Sequence, residues 1–133
     1  MRLRHAGFLL ALAAGSAAQA QIRGAALVQH PHPAIITWGS ELRLWPLAGG
    51  RPATLLRGVD FGPGGCVADV DADGCDDVLV QQRSGPGAFL WLRAPDWRAS
   101  VIEAETEFRD CLPFEFDGHR GVVMPHFHAQ LRF

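Results

Sequence analysis

The chain has no lysine; all 12 of its basic side chains are arginine. They are scattered and stand against 14 carboxylates, so no basic patch follows a phosphate backbone and no nucleic-acid partner is expected. Long apolar runs are also missing. Beyond residues 8–14, nothing approaches the roughly 20 residues that a membrane-spanning helix needs. A helical period is lacking outside the first twenty residues. The stretch Val101-Ile102-Glu103-Ala104-Glu105 admits a helical turn, but the pattern around it favours strand. No serine-nucleophile motif is present. The Gly-rich stretch Phe61-Gly62-Pro63-Gly64-Gly65 contains proline and precedes no helix, which excludes a phosphate loop. Cysteine is sparse and odd in number, at Cys66, Cys75 and Cys111. One thiol must stay free or pair outside the chain, and both a bridge and simple burial of small apolar side chains stay open for the others.

What is present begins with an export signal over residues 1–20. Arg2 and Arg4 give a positive start, Phe8–Ala14 an apolar core, and Ala18-Gln19-Ala20 a small-x-small cleavage site with a mature start at Gln21. The expected localisation is exported: periplasmic, cell-surface or secreted, with no membrane association after cleavage. Removal of Arg2 and Arg4 leaves ten arginines against fourteen carboxylates, a net charge of −4. An oxidising compartment permits a disulfide.

The densest chemistry lies at Asp69-Val70-Asp71-Ala72-Asp73-Gly74-Cys75-Asp76-Asp77, which runs into Val78-Leu79-Val80. Carboxylates at loop positions 1, 3, 5 and 9 crowd anions at a cost that a hard divalent cation relieves, because such an ion takes several oxygen ligands at once. Gly74 at position 6 allows the reversal that brings Asp77 back toward Asp69, Asp71 and Asp73, and the Cys75 carbonyl is the expected backbone ligand. An EF-hand would need Glu at position 12 and flanking helices; position 12 is Val80, in a β-branched run, and Cys66-Val67-Ala68 also reads as strand. The expectation is a calcium loop between two strands, with an acidic, metal-free hairpin turn as the alternative.

A weak repeat sets the architecture. Asp77-Val78-Leu79-Val80 aligns with Ala34-Ile35-Ile36-Thr37 and with Gly121-Val122-Val123-Met124, at offsets of 43 and 44 residues. Each run is followed by another: Glu41–Trp45, Ala88–Leu92 and Ala129–Phe133. Third runs close the first two units at Ala53–Leu56 and Ala99–Ile102. Four short strands per unit at a period of about 40–45 residues predict an all-β chain of four-stranded antiparallel β-propeller blades. The approximate blades are 21–60, 61–105 and 106–133, two and a half to three in all. Closure takes roughly four to eight blades, so an incomplete propeller is expected, with the remainder of a longer propeller as a partner or a truncated fragment as an alternative. The acidic loop fades across the units. Glu115, Asp117 and Gly118 are its vestige in the third, and the first carries no carboxylate at the matching positions.

Phe61-Gly62, Val67–Gly74 and Asp77–Val80 together resemble an FG-GAP/VCBS repeat, the calcium-loop blade of integrin-type propellers and of many exported bacterial proteins. The likeness covers residues 61–80 well and residues 111–124 weakly. It implies a propeller fold, structural Ca2+, and Asp69, Asp71, Asp73, Asp77 and the Cys75 carbonyl as ligands. Members share fold and loops rather than one activity. The implied function is therefore recognition of an extracellular protein or glycan.

An enzymatic alternative rests on histidine. His32, Cys75 and His119 hold matching loop positions in the repeat alignment, and His126 and His128 share a strand face. Together they suggest a rim pocket able to hold zinc or do acid–base work, as in a sugar lyase or dehydratase. Ordinary loop histidines are the plainer reading. Trp38, Trp45, Trp91 and Trp97 read as packing between blades, and Glu103, Glu105 and Glu107 as a solvated edge.

Overall fold

The computed structural model describes residues 21–83, 88–103, 110–125 and 131–132. The expected export signal, Glu105, Glu107, His126 and His128 lie outside these residues. The described residues are all-β, and no helix among them is long and apolar enough to cross a membrane. Three antiparallel sheets follow one another along the sequence. The first is β1 (Ile22–Val28), β2 (Ala34–Gly39), β3 (Leu42–Pro46) and β4 (Ala53–Leu56), in that spatial order. The second is β5 (Phe61–Ala68), β6 (Asp77–Gln82), β7 (Ala88–Arg93) and β8 (Arg98–Glu103), again in order. The third is β9 (Leu112–Phe116), β10 (His119–Pro125) and β11 (Leu131–Arg132). None of the sheets closes on itself.

The sheets pack face to face. Because side chains alternate across a strand, each sheet has two faces, and the register assigns them. In the first sheet, Ala26, Ile36 and Leu44 form one cross-strand row and Trp38 and Leu42 another. These pack against Val78, Val80, Leu90 and Leu92 of the second sheet, with Phe61 in the same core. The opposite face of the second sheet carries Cys66, Leu79, Phe89 and Trp91, which pack against Cys111, Val122 and Met124. The second sheet is thus covered on both sides. That is why β6 reads as the continuous apolar run Val78-Leu79-Val80, buried throughout, rather than as an alternation. Full burial of each such side chain contributes about 1.5–3 kcal/mol.

Two glycines make the first junction possible. A Cβ on Gly24 would lie 2.3 Å from the Trp38 ring, and one on Gly65 2.8 Å from it. The indole is therefore slotted between β1 and β5, where no larger residue fits. Arg23 adds a polar tie across the same junction, pairing with Asp60 and donating to the Phe61 carbonyl at 2.7 Å. The first strands approach in sequence, β1 against β5 and β5 against β9. Across the second junction Cys66 and Cys111 are joined by a disulfide, with Cα atoms 5.6 Å apart, leaving Cys75 free. A bridge over this 45-residue separation removes denatured-state entropy on the order of 4 kcal/mol.

Candidate metal centre

The acidic segment is the connection between β5 and β6. Ala68 and Asp77 are the last paired residues of the hairpin, so the ladder holds both ends of the loop at fixed register. Asp69 folds the interior back on itself: Oδ1 accepts the Asp73 N–H at 3.0 Å and Oδ2 accepts the Gly74 N–H at 3.0 Å. Ala72 and Gly74 take positive φ, 59° and 86°, to complete the reversal. At Gly74 that conformation carries no Cβ penalty. Asp73 Oδ1 accepts the Cys75 N–H at 2.8 Å.

Asp77 is fully buried at the start of β6. Its Oδ1 accepts the Ala94 N–H at 2.8 Å and its Oδ2 the Val70 N–H at 3.2 Å. Burial pushes its carboxyl pKa up, the nearby Asp71 charge adds to the rise, and the two backbone donors oppose it. Both Asp71 oxygens are buried and accept no hydrogen bond. Arg93 stands beside Oδ2 as an ion pair. Arg120 reaches Asp69 at 3.6 Å and Glu115 at 3.3 Å.

One oxygen each from Asp69, Asp71 and Asp77 lies within 4.8 Å of the other two. Calcium–oxygen distances of about 2.3–2.6 Å give a coordination sphere roughly 5 Å across, so three oxygens at this spacing fit around one ion. Unit charges at such separations repel by on the order of 3 kcal/mol per pair at an effective dielectric constant of about 20. Arg93 and Arg120 offset part of this, but five aspartates against two guanidinium groups leave the loop anionic. The Asp71 oxygens, buried without a hydrogen-bond donor, are the clearest fit to an oxygen-seeking cation. Asp73 stands on the same loop but outside the converging trio, its carboxylate engaged as a cap. The Cys75 thiol is pushed toward its neutral form by desolvation and by the charges of Asp73, Asp69 and Asp77. That disfavours thiolate ligation and leaves its carbonyl as the chemically suitable donor.

Two features of the site have no counterpart in the motif. Asp76 faces away from the trio: its Oδ2 accepts the N–H groups of Gln29 at 2.6 Å and His30 at 2.9 Å, while its own N–H donates to the His30 carbonyl at 2.9 Å. It therefore clamps the β1–β2 connection to the acidic loop. Arg93 and Arg120 come from β7 and β10, and only the register of those strands against β6 and β9 brings them here. A cleft of about 270 Å3 beside Asp69 is lined by Ala68, Val70, Pro113, Phe114, Glu115, Arg120 and Gly121.

The third hairpin is built differently. β9 and β10 meet through Asp117 and Gly118 alone, at φ 50° and 74°, with Phe116 paired to His119. This is a two-residue turn with both central residues left-handed. Glu115 lies in β9 opposite Arg120, not in a loop. Of the candidate pocket residues, His32 lies in the β1–β2 connection and His119 is the first residue of β10. Comparison with known protein families, curated proteins and solved structures finds no match to this chain.

Proposed function

We propose that this chain is an exported β-propeller module in which Ca2+ is a structural ion held by the β5–β6 loop, and that the loops at that rim recognise an extracellular protein or glycan. Three consecutive meanders, packed face to face with their first strands adjacent, support the propeller reading. The observation that carries the calcium reading is the convergence of Asp69, Asp71 and Asp77 with the Asp71 oxygens buried and without hydrogen bonds. Asp73 and the Cys75 carbonyl complete the proposed ligand set. The cation's role is to hold the hairpin closed, because carboxylates left without it repel one another. Calcium binding then couples to folding, and free calcium at 100 times its dissociation constant adds about 2.7 kcal/mol. That is a large fraction of a domain's marginal stability.

Asp71→Ala tests this reading in thermal melts with calcium and with chelator. The wild-type chain should melt higher in calcium, and the variant should lose that increment. In chelator the variant should fall much less than in calcium, since there it loses only the half-exposed Arg93 ion pair and sheds a carboxylate that accepts no hydrogen bond. An equal fall in both buffers would make Asp71 a plain structural residue and end the calcium assignment.

A further inference from the structure

The two outer faces of the three-sheet stack are apolar, and the register shows what each is shaped to meet. Val67, Val78 and Leu92 form a cross-strand row in the second sheet, next to the hairpin-end pair Ala68 and Asp77. The equivalent row in the first sheet, next to the hairpin-end pair Val28 and Ala34, is Leu27, Ile35 and Trp45. Val78 and Leu92 are completely covered by the first sheet. Leu27, Ile35 and Trp45 hold the same positions but are 49%, 40% and 37% exposed. The Trp45 indole donates to Thr37 Oγ1 at 3.0 Å, a partner on the same face. At the other end of the stack, Val122 turns toward the second sheet. Its neighbour Val123, paired with Leu112, therefore faces away, as do Phe114 and Phe116 by alternation. Leu112 is 67% and Phe116 77% exposed. The matching pair in the second sheet, Cys66 with Leu79, is buried under the third.

We infer that two copies of this chain join head to tail, the Leu112–Val123 face of each seated on the Leu27–Ile35–Trp45 face of the other. The faces are the free ends of an interaction the chain already makes twice internally, so each continues an existing junction. They are unlike, which makes the contact heterologous. A heterologous contact must either close into a ring or propagate. Closure with two copies covers both open faces at once, and no further copy can add. The inference rests on the sheet register and not on the metal, so it stands or falls apart from the calcium reading.

Sedimentation and light scattering on the full chain, in calcium and in chelator, decide it. The expected species in calcium has twice the mass of the single chain. A monomer at tens of micromolar, or an open-ended polymer, would overturn the inference. Ile35→Glu and Leu112→Glu should each weaken dimerisation at least about tenfold. An equimolar mixture of the two should regain pairing, because one of its two junctions then joins two unaltered faces. A face that paired with its own copy would be broken by Ile35→Glu alone and never rescued, which also overturns the proposal. Both positions are solvent-facing, and unchanged far-ultraviolet circular dichroism checks the fold. Should the glutamate at position 35 unfold the chain, Ile35→Thr, which keeps a β-branched side chain, should weaken dimerisation in the same direction by a smaller factor; dimerisation unchanged by Ile35→Thr would then overturn the inference.

Discussion

The hairpin joining β5 to β6 and the one joining β9 to β10 occupy the same place in successive sheets and solve the same problem in opposite ways. The second uses two residues, Asp117 and Gly118, whose left-handed backbone fits the twist of the flanking strands. The first uses eight residues, 69–76, in a loop whose carboxylates converge on one point and whose backbone is bound by Asp69 and Asp73. The short turn needs only a local conformation that matches its strands. The long one carries charge repulsion that local conformation cannot relieve, and it ties neighbouring sheets together through Asp76, Arg93 and Arg120. A long acidic loop in place of an available two-residue turn is thus suited to a ligand and to contacts between sheets.

The largest break in that contrast should come from Asp77→Ala. Its removal leaves the buried N–H of Ala94 and that of Val70 without their acceptor. Each lost acceptor costs about 1–3 kcal/mol even in chelator. With calcium held here as proposed, its increment is lost as well, so the deficit against wild type should be wider in calcium than in chelator. Urea unfolding in both buffers measures the two parts separately. A variant that unfolds as wild type does in chelator would show that these backbone contacts carry no stability.

Glycine substitutions sharpen the comparison at about 1 kcal/mol. Gly118→Ala and Gly74→Ala both force a Cβ onto a left-handed backbone, a penalty of roughly 1–2 kcal/mol, and neither added methyl meets a neighbouring atom. In the short turn the cost should be the same with and without calcium. At Gly74 it should be accompanied by weaker calcium affinity, read by titration calorimetry, because on the proposed reading the strained residue shapes the cage. Equal calcium affinity for the two variants would mean that the loop's path at Gly74 does not set ligand geometry.

Much of this contrast is legible in the residues, and the illegible part has physical causes. β6 reads as strand because β-branched residues follow the acidic loop, and all three carboxylates that converge belong to the spaced motif. The third hairpin misleads. Glu115, Asp117 and Gly118 have the right chemistry for a faded loop, but Asp-Gly is also the strongest signal for a two-residue turn, and the turn prevails when both neighbours are strand. The cysteine pair is undecided in the sequence because spacing alone cannot choose among three thiols; only the packing of β5 beside the entry to β9 brings Cys66 to Cys111. Asp76 carries no signal within the motif. Its role depends on the β1–β2 connection, 46 residues away in sequence, whose approach no local pattern encodes. Trp45 reads as packing between sheets and instead lies on an outer face, because the register that buries Leu92 exposes its counterpart at the end of the stack.

The smallest effect separates the two hairpins by pH. In the calcium-free chain the folded pKa of Asp77 lies above its ordinary value of about 4, chiefly because the group is buried. Between those two values the folded state binds more protons than the unfolded state, so the contribution of Asp77 to stability falls as pH rises through the window. Above it the whole cost of a buried, charged carboxylate is present. A cation at the trio reverses the sign. Holding Asp77 ionised lowers its folded pKa, so in calcium the same group adds stability as pH rises and loses it on acidification. The gap between melting temperatures in calcium and in chelator should therefore be small near pH 4 and grow toward neutrality. Subtracting the two melts cancels groups remote from the site, leaving Asp77 with the charges that face it: Asp69, Asp71, Arg93 and Arg120. The Gly118→Ala penalty, set by backbone conformation, should stay level across the same range. A calcium increment that is equally level would mean that no carboxylate of the β5–β6 loop exchanges its proton for the ion.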